Sequence, residues 1–155
     1  MPYVCALGPL LAPIYNDASG ATWRTISPSQ KEHITISYRT EPFDDTTPLE
    51  LWPDNIAVKV LGQALFGENN DIPVYEVCFV DDDLNTMLHR FHDRTELRSP
   101  NEYSPPHYRP HITAKHLTER LETGTLLWVS RIFVKKVGSD EPPVYERQLN
   151  PTMMG

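Results

Sequence analysis

"IAVKVLGQALFGENNDIPVYEVCFV", residues 56–80, is the stretch that decides the fold class. Residues 56–67 and 72–80 are rich in β-branched and aromatic side chains, as strands are. The segment between them, "GENND" at 67–71, has the composition of a hairpin turn. This stretch therefore predicts two antiparallel strands, and the rest of the chain can be assigned around them.

Further strands are predicted on both sides of this hairpin. They cover residues 3–7, the two histidine-containing stretches at 33–39 and from 111, and the closing segments 126–138 and 143–149. Residues 8–30 are predicted to be a mainly irregular connection with room for a short helix, and residues 40–55, rich in proline and acidic residues, a second connection. The apolar spacing of Leu84, Met87, Leu88 and Phe91 predicts a helix over residues 81–97. One α+β domain over residues 1–155, with a mostly antiparallel sheet, accounts for this order.

Composition restricts the classes of partner. The chain has 155 residues and a formal net charge of −7, which argues against binding to long nucleic acid, because such proteins rely on a basic face. An acidic chain can still bind a small phosphate ester through a few local groups. No run of about 18 apolar residues is present, so no membrane span is expected. Cys5 and Cys78 are predicted to be buried free thiols, which favours a cytoplasmic protein.

Two copies of the triplet His-Ile-Thr carry the chemical prediction. His33 and Thr35 are two positions apart in one predicted strand, and His111 and Thr113 are two apart in another. Residues i and i+2 of a strand point to the same face. Each strand should therefore present an imidazole and a hydroxyl together, and only the tertiary structure can unite triplets that lie 78 positions apart (111 − 33).

Two imidazoles beside a phosphate are well suited to phosphodiester cleavage. A neutral ring removes a proton from the attacking oxygen, and a protonated ring delivers one to the leaving oxygen. Threonine hydroxyls donate hydrogen bonds to non-bridging phosphate oxygens. A ribose 2′-hydroxyl is the natural nucleophile because it lies next to the phosphorus. This chemistry requires no metal, since the rings handle both protons.

Two other interpretations stay open at this stage. A single His-Ile-Thr is usually structural, and a pair of half-buried structural histidines accounts for the same letters. A metal site would need three or four convergent ligands. His107 and His116 flank His111 at spacings that do not converge in a strand, and His89 and His92 fit a solvated helix face.

The paired triplets resemble those of the 2H phosphoesterase superfamily, and "RPHIT" at 109–113 has a common form of its motif. The stretch "GQALFG" at 62–67 and the closing "VYERQL" at 144–149 are also similar to family elements. The resemblance implies a bilobal α+β fold, with two mostly antiparallel sheets related by pseudo-twofold symmetry around a central cleft. It also implies His33, Thr35, His111 and Thr113 as catalytic residues, with no metal and no cofactor.

Within the superfamily, the chain is most similar in size and first motif to small phage nucleases that counter the bacterial CBASS defence. This likeness implies cleavage of the 3′-5′ bonds of cyclic di- and trinucleotides in the host cytoplasm. It also implies aromatic and acidic base contacts, for which the candidates are Tyr3, Trp23, Glu141 and Tyr145. Residues 139–145 are interpreted as a lid. Arg109 and Lys115, beside the second triplet, are candidate phosphate contacts.

Two further functions remain as alternatives to a cyclic-oligonucleotide phosphodiesterase. One is a 2′,3′-cyclic phosphodiesterase acting on RNA ends, which would have to hold an RNA strand against the negative charge of the protein. The other is a protein that sequesters a nucleotide without cleaving it, although all four motif residues are present. Base preference, oligomeric state and the division of labour between the two histidines are not determined by the sequence.

Overall fold

The computed structural model describes residues 3–14, 22–39, 47–67, 69–87 and 109–151. Their regular elements are β1 (Tyr3–Leu7), β2 (Leu10–Ile14), β3 (Thr22–Thr25), β4 (Ile34–Arg39), α1 (Thr47–Glu50), β5 (Ala57–Phe66), β6 (Ile72–Phe79), β7 (His111–Thr113), a 3-10 turn (Ala114–His116), β8 (Leu126–Val129), β9 (Arg131–Lys136) and β10 (Tyr145–Gln148). The predicted strand 3–7 is confirmed, as is the hairpin formed by β5 and β6.

All ten strands belong to one antiparallel sheet in the order β10-β9-β1-β4-β7-β6-β5-β8-β2-β3, which curls into a half-barrel. The predicted bilobal α+β fold with two sheets and pseudo-twofold symmetry around a central cleft is therefore wrong. The protein is mostly β, and α1 is its one short helix with both ends described.

Strand β7 is the physical reason that the sheet is continuous. It pairs with β4 along one edge and with β6 along the other, so both backbone edges of a three-residue strand are used. Because unpaired backbone groups in a sheet interior are costly, this double pairing joins the two parts of the sheet into one. The three-residue sequence of β7 does not indicate that the strand pairs on both edges.

The segment from β1 to β2 and the segment from β8 to β9 run antiparallel to each other and bend at the same place. β1 pairs with β9, and β2 pairs with β8. At the bend, the Gly8 N–H donates to the Arg131 carbonyl (3.1 Å), and the Ser130 hydroxyl donates to the Pro9 carbonyl (2.6 Å). The prediction of one strand over 126–138 is therefore wrong, because the run changes strand partners at Ser130.

The predicted irregular connection at 8–30 is also wrong, because it contains β2 and β3. Leu10 and Ala12 are buried at alternate positions of β2, and its partner β8 supplies the tertiary contact that makes this proline-containing segment a strand. In the predicted connection 40–55, residues 47–50 form α1, and Arg147 of β10 donates hydrogen bonds to the carbonyls of Leu49 (2.9 Å) and Trp52 (2.8 Å) at its end.

One face of the sheet carries the main hydrophobic core. Its largest fully buried side chains are Leu7, Leu10, Ile34, Ile36, Leu49, Ile56, Phe79, Leu84, Ile112, Leu127 and Ile132. Residues 82–87 are helical, as the predicted helix requires, and Leu84 is buried; the rest of that helix, with Leu88 and Phe91, lies outside the described residues. Cys5 and Cys78 are free thiols as predicted, Cys5 buried and Cys78 half-buried. None of the described helices is long and apolar enough to cross a membrane.

Candidate active site

The two His-Ile-Thr triplets lie on neighbouring strands. Ile34 of β4 pairs with Ile112 of β7 in antiparallel register, and both side chains are fully buried. Extending that register by one residue each way sets Thr35 opposite His111 and His33 opposite Thr113. The structure thus brings the four predicted catalytic residues together, with each histidine facing the threonine of the other triplet.

The four side chains lie on the face of the sheet that is turned away from the main core. Alternation along the strands buries the isoleucines and leaves His33, Thr35, His111 and Thr113 half-buried. Thr35 pairs across the ladder with Ala6, and Ala6 pairs with Phe133, which together with Val4 form a small second cluster of buried side chains. The site therefore has an apolar floor on the β1 and β9 side.

The two imidazoles are held by the same backbone contact. Nδ1 of His33 lies 3.0 Å from the Lys31 carbonyl oxygen, and Nδ1 of His111 lies 2.9 Å from the Arg109 carbonyl oxygen. Because a carbonyl oxygen only accepts hydrogen bonds, Nδ1 carries the proton in both rings. Nε2 is then the nitrogen that exchanges protons in each ring. This shared geometry fixes the tautomer that two-histidine proton transfer needs.

A connected set of contacts surrounds His111. The phenyl ring of Phe66 packs on its imidazole, with centroids 4.5 Å apart, and the Arg109 guanidinium lies 4.5 Å from the centroid of the same phenyl ring. Arg109 in turn donates two hydrogen bonds to Glu76, from Nε to Oε2 (3.1 Å) and from Nη2 to Oε1 (2.5 Å). Glu76 is the cross-strand partner of His111 in β6. The candidate phosphate contact Arg109 is therefore paired with a carboxylate.

Lysines, rather than a carboxylate, are the charged groups that act on His33. Lys115, in the 3-10 turn, and Lys135, on β9, both lower its pKa through electrostatic repulsion. Lys135 pairs with Val4, whose side chain belongs to the small apolar cluster on the site face. The two histidines share a tautomer, but the side chains that act on His111 include a carboxylate and those that act on His33 are both lysines.

Burial is the main cause of the pKa shift of both rings. Loss of solvation lowers the pKa of His33 below its ordinary value, and the hydrogen bond to the Lys31 carbonyl opposes this shift. Burial likewise lowers the pKa of His111, and the Arg109 carbonyl opposes it. The nearby His33 and Arg109 lower the pKa of His111 further, whereas Glu76 raises it. At neutral pH the neutral form of both rings is favoured.

A tight bend supports His33 from behind. A Cβ atom at Gly8 would lie 2.5 Å from the Glu32 carbonyl oxygen and 3.0 Å from Cα of His33, so only glycine allows this approach. The buried side chain of Glu32 accepts a hydrogen bond from the Leu10 N–H (3.2 Å) through Oε1. Burial raises the pKa of this carboxyl. The β1–β2 bend and the strand that carries His33 are therefore fastened together.

The predicted base-binding residues lie apart from the histidines. Strand alternation puts Tyr3 on the same face as buried Cys5, and Tyr145 packs against the main core, where burial raises its pKa. Trp23 lies in the edge strand β3 and contacts Trp128 at a centroid distance of 5.2 Å. Glu141 is exposed in the connection before β10, at the other end of the sheet. The structure brings none of these four to the two triplets.

Residues 139–145, interpreted as a lid, connect β9 to the edge strand β10, three strands along the sheet from β4. Two shallow pockets of about 370 Å³ share Gln63, Tyr75 and Ala114. Neither is lined by a histidine, although Ala114 directly follows Thr113. Among the described residues, the second triplet therefore adjoins both pockets.

The sequence does not indicate three features of this site: the carboxylate of Glu76, the ring of Phe66 and the ammonium group of Lys135. Glu76 stands between buried Tyr75 and Val77, so alternation alone put it on the opposite face of β6. Nothing in the sequence indicated that β6 is the neighbour of β7. The contact between Glu76 and the site depends on the β6–β7 register, which pairs Glu76 with His111.

Within the described residues, no group of three or more His, Cys, Asp and Glu side chains is arranged to hold a metal ion. His89, His92 and His107, weighed above as ligands, lie outside the described residues.

Comparison with protein-family models, curated proteins and solved structures found no match to this chain. The resemblance to 2H phosphoesterases therefore stays a prediction that depends on the paired triplets.

Proposed function

We propose that the protein is a phosphodiesterase that cleaves 3′-5′ bonds of cyclic di- or trinucleotides with His33 and His111 as its acid and base, without a metal. One observation carries this proposal. His33 directly precedes β4 and His111 begins β7, the strand paired with β4. Each imidazole donates its Nδ1–H to a backbone carbonyl, so that Nε2 is the proton-exchanging atom of both rings. A structural histidine pair has no need of this matched arrangement.

The reaction follows from the positions of the four side chains. One Nε2 accepts the proton of a ribose 2′-hydroxyl, and the oxygen attacks the adjacent phosphorus. The other Nε2 donates its proton to the departing oxygen, leaving a 2′,3′-cyclic phosphate. Thr35 and Thr113, each across from a histidine, donate hydrogen bonds to the non-bridging oxygens as negative charge builds up on them. Positive charge from Lys115 and Lys135 favours a bound phosphate.

Charge supports a small substrate. With a formal net charge of −7, the protein repels a long polyanion, whereas the few cations near the histidines suffice for a ligand with two or three phosphates. The choice of a cyclic di- or trinucleotide, a signal of bacterial antiviral defence, follows from the resemblance of the triplets to those of phage nucleases.

A substrate panel in EDTA tests the proposal. Cyclic dinucleotides, cyclic trinucleotides and RNA with a 2′,3′-cyclic phosphate end are incubated with the protein, and products are separated by chromatography. We expect turnover of at least one cyclic oligonucleotide, undiminished by EDTA. Turnover of the RNA end alone would move the substrate to the RNA class. Binding without turnover would identify a sequestering protein, and loss of turnover in EDTA would refute the two-histidine chemistry.

Variants of the histidines complete the test. His33→Ala and His111→Ala should each lower kcat by about 10²- to 10⁴-fold, the range for loss of an acid or base. Because both side chains are half-buried at the surface of the sheet, the variants should fold, as circular dichroism can check. Imidazole added to the buffer should restore part of the activity of a correctly folded variant. Full activity in both variants would remove the site.

A further inference from the structure

Within the described residues, the polar network beside His111 has no counterpart beside His33. Charged groups reach His111 from His33, just before β4, from Glu76 of β6 and from Arg109, two residues before it in the chain. Phe66 covers the ring from β5. Glu76 is the one carboxylate among them. It is the direct cross-strand partner of His111 and is oriented by two hydrogen bonds from Arg109. Among these charged side chains, Glu76 favours the protonated form of His111, whereas His33 and Arg109 oppose it.

His33 has the opposite environment. The charged side chains that act on it are Lys115 from the 3-10 turn and Lys135 from β9, and β1 contributes only the apolar Ala6 and Val4 to this side of the face. The nearby carboxyl of Glu32 is bonded to the Leu10 backbone instead. A positive charge on His33 is opposed by two ammonium groups, so the neutral ring is favoured.

We propose that the two histidines have fixed roles in the cleavage step, with His33 as the general base and His111 as the general acid. Glu76 is the positioning residue that sets this polarity, and Arg109 and Phe66 hold it and the imidazole in place. This assignment rests on the proposed function, and it adds the direction in which protons move.

Cleavage starts from the form of the protein in which His33 is neutral and His111 is protonated. Nε2 of neutral His33 takes the proton of the 2′-hydroxyl while the 2′-oxygen forms a bond to phosphorus. The bond from phosphorus to the 5′-oxygen breaks, its electron pair stays on that oxygen, and Nε2–H of His111 protonates it. The products are a 2′,3′-cyclic phosphate and a 5′-hydroxyl. In the hydrolysis that follows, the roles are exchanged. His111 takes a proton from water as the water oxygen bonds to phosphorus, and protonated His33 returns a proton to the 2′-oxygen as the bond from phosphorus to that oxygen breaks.

A substrate whose leaving group needs no proton separates the two roles. In a cyclic dinucleotide with sulfur at the bridging 5′ position, a thiolate departs without a general acid. On the ordinary oxygen substrate both His33→Ala and His111→Ala should lose about 10²- to 10⁴-fold. On the sulfur substrate the rate of His111→Ala should lie within about tenfold of the wild-type rate. The thiolate leaves without a proton, so loss of the general acid no longer slows the reaction. His33→Ala should stay impaired on both substrates.

The pH–rate profile tests the part played by Glu76. Glu76→Gln keeps a hydrogen-bond acceptor for Arg109 but removes the charge that raises the pKa of His111. The alkaline limb of kcat/KM, where the acid loses its proton, should move to lower pH while the acid limb stays in place. Glu146→Gln is the matched control, since Glu146 also pairs with an arginine, Arg131 (3.1 Å). It should move neither limb.

The outcomes distinguish the assignment from the function on which it rests. Sulfur rescue of His33→Ala instead of His111→Ala, or movement of the acid limb in Glu76→Gln, would overturn the assignment and leave a two-histidine phosphodiesterase. Failure of sulfur to rescue either variant would also overturn it. Full activity of both histidine variants on the oxygen substrate would overturn the proposed function itself. Rescue of His111→Ala alone, together with a shift of the alkaline limb alone, is the expected result.

Discussion

Ile34 of β4 and Ile112 of β7 are direct cross-strand partners, 78 positions apart in the chain (112 − 34), and both are fully buried. This contact holds the two triplets in register. Side chains of a strand alternate between the two faces of the sheet. A shift of the β4–β7 register by one residue would therefore direct a histidine and a threonine toward the core. The candidate site therefore depends on a hydrophobic pair that takes no part in its chemistry.

We predict that Ile34→Ala and Ile112→Ala each lower the free energy of unfolding by about 2–5 kcal/mol, the range for truncating a buried isoleucine. The double variant should lose less than the sum, with a coupling energy of about 0.5–3 kcal/mol, because the residues are in contact. Urea denaturation of the four proteins gives these values. Leu61→Ala, at a half-exposed position of β5, is the control and should change stability by about 0.5 kcal/mol or less. Strict additivity of the two isoleucine variants would contradict the pairing.

We predict that Thr35→Val and Thr113→Val lower kcat more than they raise KM. Valine keeps the shape of threonine but cannot donate to the phosphate oxygens, and loss of one such donor costs about 10²- to 10³-fold in kcat. Thr113→Ser keeps the hydroxyl and should retain most of the activity. Thr123→Val, in an exposed turn before β8, is the matched control and should leave kinetics unchanged. Steady-state kinetics with full kcat of both site variants would exclude the hydroxyls as donors.

We predict that Lys135→Met shifts the acid limb of the pH–rate profile to higher pH. Lys135 lowers the pKa of His33 by repulsion, so its removal lets the ring keep a proton at higher pH, and the base becomes active later as pH rises. The alkaline limb should not move. Lys136→Met is the control on the same strand, because Lys136 points to the other face and pairs with Tyr3. Equal shifts in both variants would mean that overall charge, rather than the position of Lys135, sets the limb.

We predict that Glu32→Gln gains stability relative to the wild type as pH rises. Burial raises the pKa of Glu32 in the folded state above its unfolded value, so the wild type loses stability as pH increases from the unfolded pKa through the folded one. Within the described residues, Oε2 has no hydrogen-bond partner, which adds to the cost of the charged form. Glutamine keeps the acceptor for the Leu10 N–H and does not ionise.

Thermal unfolding measured at intervals from pH 4.5, the ordinary pKa of a glutamate carboxyl, up to pH 8 follows the effect. Glu122→Gln removes the same charge at an exposed position and serves as the control. If the stability difference between Glu32→Gln and the wild type did not change with pH, Glu32 would titrate alike in the folded and unfolded chain.

Local patterns predicted several elements of the fold. The β-branched and aromatic content of residues 56–80 and the turn composition of residues 67–71 predicted the β5–β6 hairpin, and the apolar run at 3–7 predicted β1. These signals lie within one strand or one turn. Residues 10–14 and 126–136 were misassigned for the opposite reason. β2 is a strand through its pairing with β8, and the change of partners at Ser130 depends on the Pro9 carbonyl across the sheet.

The prediction of two sheets is wrong because of a single strand. β7 has three residues, yet both its edges are paired, and this merges what would be two sheets into one. The positions of Tyr3 and Tyr145 also depend on the sheet. Tyr3 and Tyr145 have the right chemistry, but strand parity and core packing direct them away from the histidines.

The sequence by itself determined that His33 and Thr35 share one strand face, and that His111 and Thr113 share another, because side-chain direction in a strand follows a period of two. Only the tertiary structure decided that these faces adjoin, that each histidine lies across from the other triplet's threonine, and that Glu76 stands beside His111 while lysines flank His33. Register and charge environment depend on contacts between segments far apart in the chain. Local alternation carries no information about either.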